Sequence, residues 1–281
     1  MNVLGKTKMK QFTILSIVLL LSACSTEPIN KENPINLRLT TTTSINDSGL
    51  IEYLRPYIVE ELNINLEVVS LGSGAALEAG QRGDADVLIV HSPTAEESFI
   101  QAGYGLKRST FMYNFYVIVG PKSNQTISDM SAKDAFLMIY KNKSLFISRG
   151  DNSGTHRKEK DIWETTGLIY DELSFETSFY LSNGSGMGNT LIMANEKQAY
   201  TLTDLATFLS MQDKLDLEVI VSESPDLRND YSIIIINPEK VKNVDRETAL
   251  KFEEWMLSEK ALNLIAEFGK EKYNQALFFT E

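Results

Sequence analysis

LFISRGDNSGTH, residues 145–156, passes through three kinds of chain in twelve residues. Leu145–Ser148 is a short apolar run with the look of a buried strand. Arg149–Gly154 is polar and carries two glycines. From Thr155 the spacing of apolar residues predicts a helix to Thr165. Strand, polar turn and helix form a unit, and the question is whether the rest of the chain repeats it.

It does. Asn36–Thr42 reads as a strand, Thr43-Ser44 and Asn46–Gly49 as polar turn, and Leu50–Leu62 as an amphipathic helix. Asn65–Leu71, Gly72-Ser73-Gly74 and Ala75–Gln81 repeat the pattern, as do Asp86–Val90, His91-Ser92-Pro93 and Ala95–Ala102. Asn114–Gly120 is a strand ahead of a helix at Ser128–Tyr140. Glu176–Leu181 leads through Asn183–Gly188 into a helix ending at Lys197, and Ala199–Leu202 into one ending at Met211. Strands at Leu217–Val221 and Ile233–Ile236 and helices near Arg246–Ser258 and Lys260–Phe268 complete the chain. Strands that alternate with helices and read as unbroken apolar runs point to an α/β class with buried parallel strands.

The N-terminus has a different logic. Lys6, Lys8 and Lys10 precede the apolar run Ile14–Leu21, which closes on Leu21-Ser22-Ala23-Cys24. A basic segment, a short apolar segment and small residues are the parts of an export signal. The run is short of the roughly 20 residues that span a bilayer. Cys24 is the single cysteine, and exported proteins pair cysteines in disulfides, so it needs another role. Leu-Ser-Ala-Cys resembles the lipobox of bacterial lipoproteins, which implies lipid attachment at Cys24 after removal of residues 1–23. Residues 24–35 then read as a tether on the outer face of a membrane, and the folded part starts at about Asn36.

Charge narrows the choice of ligand. The chain carries a net charge of −11, and removing residues 1–23 takes away three lysines and no acid, leaving −14. That excludes nucleic acid as a partner on bulk electrostatics. An anion site in such a chain has to be made locally. Four strand-to-helix turns supply the means: Thr41–Ser44, Gly72–Gly74, Ser148–Thr155 and Asn183–Gly188. Helix N-termini expose unpaired N–H groups and a partial positive charge. Hydroxyls add donors, and glycines let backbone approach a ligand. Arg149 brings the one full positive charge, beside Asp151, which can fix it by an ion pair.

Enzyme chemistry finds little footing. His91 and His156 are the only histidines, and Ser153 beside His156 lacks the G-x-S-x-G of a nucleophile elbow. One cysteine, two histidines and no dense carboxylate cluster support no metal site. Arg149-Gly150-Asp151 matches an adhesion tripeptide, but in a strand-to-helix turn.

These residues resemble a known family. TTTS at 41–44, GSG at 72–74, GDADVLIVHSP at 83–93, VIVGP at 117–121, SRGDNSGTH at 148–156 and AYTLTD at 199–204 look like the solute-binding proteins of tungstate ABC transporters (TupA type), in order along the mature chain. The resemblance implies a two-lobed periplasmic-binding-protein-like fold (type II), with lobe I at 36–115 plus 204–281 and lobe II at 116–203, joined by two crossovers that act as a hinge. It implies no enzyme activity and no cofactor. The ligand is tungstate, with contacts at Thr43, Ser44, Ser73, Arg149 and Thr155, and with Ser153 and Gly154 completing the turn. The implied partners are an ABC permease and, through the lipid, a membrane; a monomer is expected. Another tetrahedral oxyanion (molybdate, phosphate or sulfate) remains an alternative ligand, and a lipoprotein phosphatase or adhesin a rival class.

Overall fold

The computed structural model describes Met1 and residues 33–122, 130–176 and 178–280. The export signal, Cys24 and the tether up to Glu32 lie outside the described residues. Ten strands run β1 (Ile35–Thr42), β2 (Ile64–Leu71), β3 (Val87–Val90), β4 (Gly105–Pro121), β5 (Phe146–Ser148), β6 (Tyr180–Ser182), β7 (Thr201–Asp204), β8 (Leu217–Val221), β9 (Arg228–Ile236) and β10 (Phe279–Thr280). The first sheet has the order β10-β4-β9-β3-β1-β2. Within it, β1 is parallel to both β2 and β3, while β9 runs antiparallel to β3 and β4.

β3 shows why the centre of this sheet reads as a continuous apolar run. Val87 and Ile89 face one core together with Ile233 and Ile235 of β9, and Leu88 and Val90 face the opposite core together with Ile234 and Ile236. A period of two puts successive side chains on opposite faces, and helices cover both faces, so every position is apolar.

The 17-residue β4 links the two lobes. Up to Phe115, opposite Arg228, it pairs with β9. From Tyr116, opposite Asp204, it pairs with β7 and then also with β8. Here the expected boundaries need correction. A return crossover at 203/204 would put Leu217–Val221 in the first lobe, but this strand pairs with Ile118–Pro121. The chain therefore comes back between Val221 and Arg228. Ile35, expected in the tether, already pairs with Ile64. The second lobe has its own aromatic core, in which Phe136 and Trp163 lie 4.4 Å apart and Phe146 stacks on Tyr180 at 5.8 Å. Its parallel pair β5–β6 ends at the turn that carries Arg149.

Candidate functional site

Three of the four polar turns meet at one cavity of about 260 Å³. Thr43 and the Gly72–Ala75 segment line it from the first lobe. Arg149, Asp151, Asn152, Ser153, Gly154 and Arg157 line it from the second. The helices Ser73–Arg82 and Gly154–Thr165 both open on it, their N-cap residues Gly72 and Ser153 being part of the wall. The backbone N–H groups of two first turns are thus available to a ligand. Ser73 is buried, and its Oγ accepts the His91 amide at 3.5 Å.

The SRGDNSGTH turn is held in a tight shape. Gly150 has φ +65°, and a Cβ there would lie 1.7 Å from Ser182 Oγ, so glycine is required. Asn152 also sits in the left-handed region, at φ 57°. Arg149 Nε donates to Asp151 Oδ2 at 2.8 Å, and Ser153 N donates to Asp151 Oδ1 at 3.1 Å. Burial alone would raise the Asp151 carboxyl, but these hydrogen bonds and the Arg149 charge outweigh it and hold the group below its ordinary value. Asp151 therefore stays ionised, with both oxygens engaged by donors of its own turn. Ser153 caps its helix, its Oγ accepting from His156 N at 3.3 Å.

The lobes touch closely here. A Cβ on Gly154 would come within 2.5 Å of His91 Cε1, and one on Gly74 would lie 3.1 Å from Arg157 Nη2. Each glycine admits a side chain from the opposite lobe. Burial, with Arg149 adding to it and Asn229 opposing, drives His91 down to about 4, so it stands neutral against Gly154. Arg157 has no acid in ion-pair range among the described residues.

Five of the seven oxyanion residues expected from the sequence line the cavity: Thr43, Ser73, Arg149, Ser153 and Gly154. Ser44 and Thr155 do not. Ser44 Oγ lies 3.2 Å from Tyr231 OH and 3.1 Å from Thr42 Oγ1, and Thr155 is buried in the first turn of its helix. The fourth turn stands behind the site instead of lining it: Asn183 N donates to Ser148 O at 2.9 Å, bracing the loop from the rear. Arg157 and Asn152 were not singled out from sequence. The only signal for Arg157 was its position one helical turn beyond Ser153. A larger opening of about 650 Å³ lies beyond Gly154 and Arg157, but Asp161, Glu164 and Asp230 line it alongside Lys158, Lys160 and Arg228. Its mixed charge suits an anion less well. Among the described residues no group of three or more His, Cys, Asp or Glu is placed to hold a metal, and no helix is long and apolar enough to cross a membrane.

The profile described as "PBP superfamily domain" matches residues 30–260. The "Tungstate-binding protein TupA" of Peptoclostridium acidaminophilum is 42% identical over 280 residues, spanning 95% of this chain and 96% of that protein. The solved "Tungstate binding protein - TupA - from Desulfovibrio alaskensis G20" aligns with a TM-score of 0.78 at 35% identity, over 88% of this chain and 99% of the other. A structure described as the tungstate ABC transporter from Geobacter sulfurreducens aligns with a TM-score of 0.74 at 36% identity, over 83% of this chain and 98% of that one. The chain thus belongs to the periplasmic-binding-protein superfamily and, within it, to the TupA-type solute-binding proteins of ABC transporters, which are not enzymes.

Proposed function

We propose that this protein captures tungstate between its lobes outside the cytoplasm and presents it to an ABC permease, held at the membrane by a lipid on Cys24. The observation that carries the choice of ligand is the state of Asp151. Each of its oxygens accepts from a donor of its own turn, Arg149 Nε and Ser153 N, so the one carboxylate in the lining is tied to its loop while the other lining groups are donors or hydroxyls able to donate. A bare dianion only accepts hydrogen bonds, whereas hydrogen phosphate also needs an acceptor for its proton. Each unmatched buried polar group costs about 1–3 kcal/mol, so a few such mismatches exclude the protonated ligand.

Support for the remaining contacts comes from position. Thr43 and Ser73 face Arg149, Ser153 and Gly154 across the cavity. Ser44 and Thr155 would reach the anion only after a rearrangement of side chains or lobes. The two strand connections, through β4 and between Val221 and Arg228, are where such a hinge would bend. The test is calorimetric titration of the mature protein with tungstate, with and without phosphate, at pH 8. Tungstate binds and a large excess of phosphate leaves its affinity unchanged. Displacement of tungstate by phosphate at comparable concentration would show that Asp151 turns to the ligand and that phosphate is the natural anion.

A further inference from the structure

Behind the anion loop lies a set of buried polar groups that the site itself does not use. Ser148 is fully buried, Glu159 is 1% exposed, Tyr180 4% and His156 5%. Their hydrogen bonds form one connected path. Asn152 N donates to His156 Nδ1 at 2.9 Å, and His156 Nε2 lies 2.8 Å from Tyr170 OH. Tyr170 OH lies 2.8 Å from Tyr180 OH, and Tyr180 OH donates to Glu159 Oε1 at 2.5 Å. Ser148 Oγ donates to Glu159 Oε2 at 2.7 Å.

The direction of the path follows from its first member. A backbone amide only donates, so His156 Nδ1 must accept and the ring proton resides on Nε2. Nε2–H then donates to Tyr170, Tyr170 to Tyr180, and Tyr180 to the carboxylate. Both ends of the path are attached to the anion loop: Ser148 precedes Arg149, and Asn152 precedes Ser153. Between these attachments the chain makes its two left-handed steps, Gly150 and Asn152, which surrounding structure has to hold.

Resting on the reading that this loop receives the anion, we propose that His156, Tyr170, Tyr180 and Glu159 are positioning residues, a one-way hydrogen-bond chain that clamps the loop at both ends and keeps it ready for the ligand. A second proton on the imidazole would sit on Nδ1 and face the Asn152 N–H, so the clamp requires neutral His156. The charged groups acting on this ring are Arg149 and Asp151 of the loop and Lys160 of its own helix, and Tyr170 packs against it from the helix Tyr170–Glu176. Burial, Lys160 and Arg149 push the imidazole below its ordinary value and outweigh Asp151, which favours the neutral ring. A proton on Glu159 is accommodated at Oε2, toward Ser148, and leaves the Tyr180 bond standing.

The chain and the ligand are tested separately. With only two histidines in the chain, ¹⁵N NMR of the ligand-free protein reads both tautomers. His156 is expected as Nε2–H. His91, whose Nδ1 faces Asn229 Oδ1 at 2.8 Å, is expected as the opposite, Nδ1–H. A wild-type His156 carrying its proton on Nδ1 overturns the proposal whether or not tungstate binds. Tyr170→Phe keeps the ring under the Lys160 ammonium, 4.7 Å from its centroid, and removes only the hydroxyl. Tungstate titrations of wild type and Tyr170→Phe between pH 6 and 8.5 then show a loss in the variant of about 2- to 12-fold, the worth of one net hydrogen bond. The loss stays nearly constant over this range, because burial, Lys160 and Arg149 still hold the imidazole below its ordinary value once the hydroxyl is gone. Equal affinities, or an affinity that rises as pH falls, would each overturn the clamp, the latter by showing His156 to act as a plain positive charge. A wild type with the expected tautomers that fails to bind tungstate would overturn the proposed ligand and leave the chain standing.

Discussion

Gly74 and Arg157 sit on opposite lobes and meet at the cavity, and the contact permits a double-mutant cycle. Arg157 is exposed along much of its length, so its attraction for the anion is partly screened. A hydrogen bond to a charged group is worth about 1.5–3 kcal/mol. Solvent exposure reduces this to about 1 kcal/mol, or roughly fivefold in affinity. Arg157→Ala is therefore expected to weaken tungstate binding about fivefold. Gly74→Ala tests the same group from the other side. Its new Cβ lies 3.1 Å from Arg157 Nη2, 3.7 Å from Nη1 and 3.8 Å from Cζ, so the guanidinium has to swing away. That movement costs little in folding, because the displaced atoms end a flexible side chain. Alanine is also the better helix former by up to about 1 kcal/mol, and Gly74 lies inside the helix Ser73–Arg82. Gly74→Ala should thus lose affinity while keeping or raising thermal stability. Adding it to Arg157→Ala should cost nothing further, because the group it displaces is gone. Calorimetry of the four proteins measures the cycle. If the two losses multiply in the double variant, Gly74 acts on the anion independently of Arg157, and if Arg157→Ala binds as wild type does, Arg157 is no part of the site.

Two further outcomes are expected. Gly150→Ala should cost both stability and tungstate affinity, since the new Cβ would collide with Ser182 Oγ at 1.7 Å. Adding Ser182→Ala should recover part of the loss, but not the roughly 1–2 kcal/mol of a left-handed alanine; melting curves with no recovery would show that the clash is not the cause. Glu159 is raised by burial from an ordinary value of 4.5 to about 7, against the opposing bonds of Tyr180, Ser148 and the Arg149 amide. Between those two values the folded protein keeps a proton that the unfolded chain has lost, so stability falls as pH rises, by up to about 3 kcal/mol across the window. In Glu159→Gln that slope should vanish, and melting temperatures that track wild type in parallel from pH 4.5 to 8 would refute the assignment.

The parts of the fold that were legible in the sequence are those decided by local pattern. Val87–Val90 announces a central strand because both its faces are buried, and Leu50–Leu62 a helix through its apolar stripe. Less legible were segments whose state is set by distant partners. The start of β4, Gly105–Thr110, is largely polar and becomes strand through pairing with β9. β9 itself begins at Arg228, five residues before its apolar run, because Asn229 is buried against Asn114. The helix Tyr170–Glu176 was not anticipated, and the strand expected at Glu176–Leu181 starts only at Tyr180. In the site, residues fixed by turn chemistry were readable: Arg149, Ser153 and Gly154 lie in one tight loop, and Ser73 opens a helix. Arg157 was not, because its presence at the cavity depends on how the lobes meet. Ser44 and Thr155 show the converse, hydroxyls at the right place in the sequence whose contacts are made elsewhere in the described arrangement.

An acidic protein that is to bind a dianion has to solve an electrostatic problem, and the proposed site would solve it with dipoles. Arg149 is the formal charge expected to dominate, yet Asp151 already accepts from its Nε at 2.8 Å. The pair orients the guanidinium and removes most of its field at long range. His91, packed against Gly154, is held neutral by burial. What remains is short-ranged: hydroxyls, the first-turn N–H groups of two helices and the exposed Arg157. Such groups reward an acceptor only within hydrogen-bond distance, and helix-terminus fields fade within a turn. A site built from cations would attract any anion, with selectivity dulled by the strength of the common charge term. One built from fixed donors discriminates by whether each donor finds a lone pair and whether the ligand brings a proton of its own. The exactness of the donor positions then carries the selectivity, which is why so much buried hydrogen bonding lies behind a loop of a few residues.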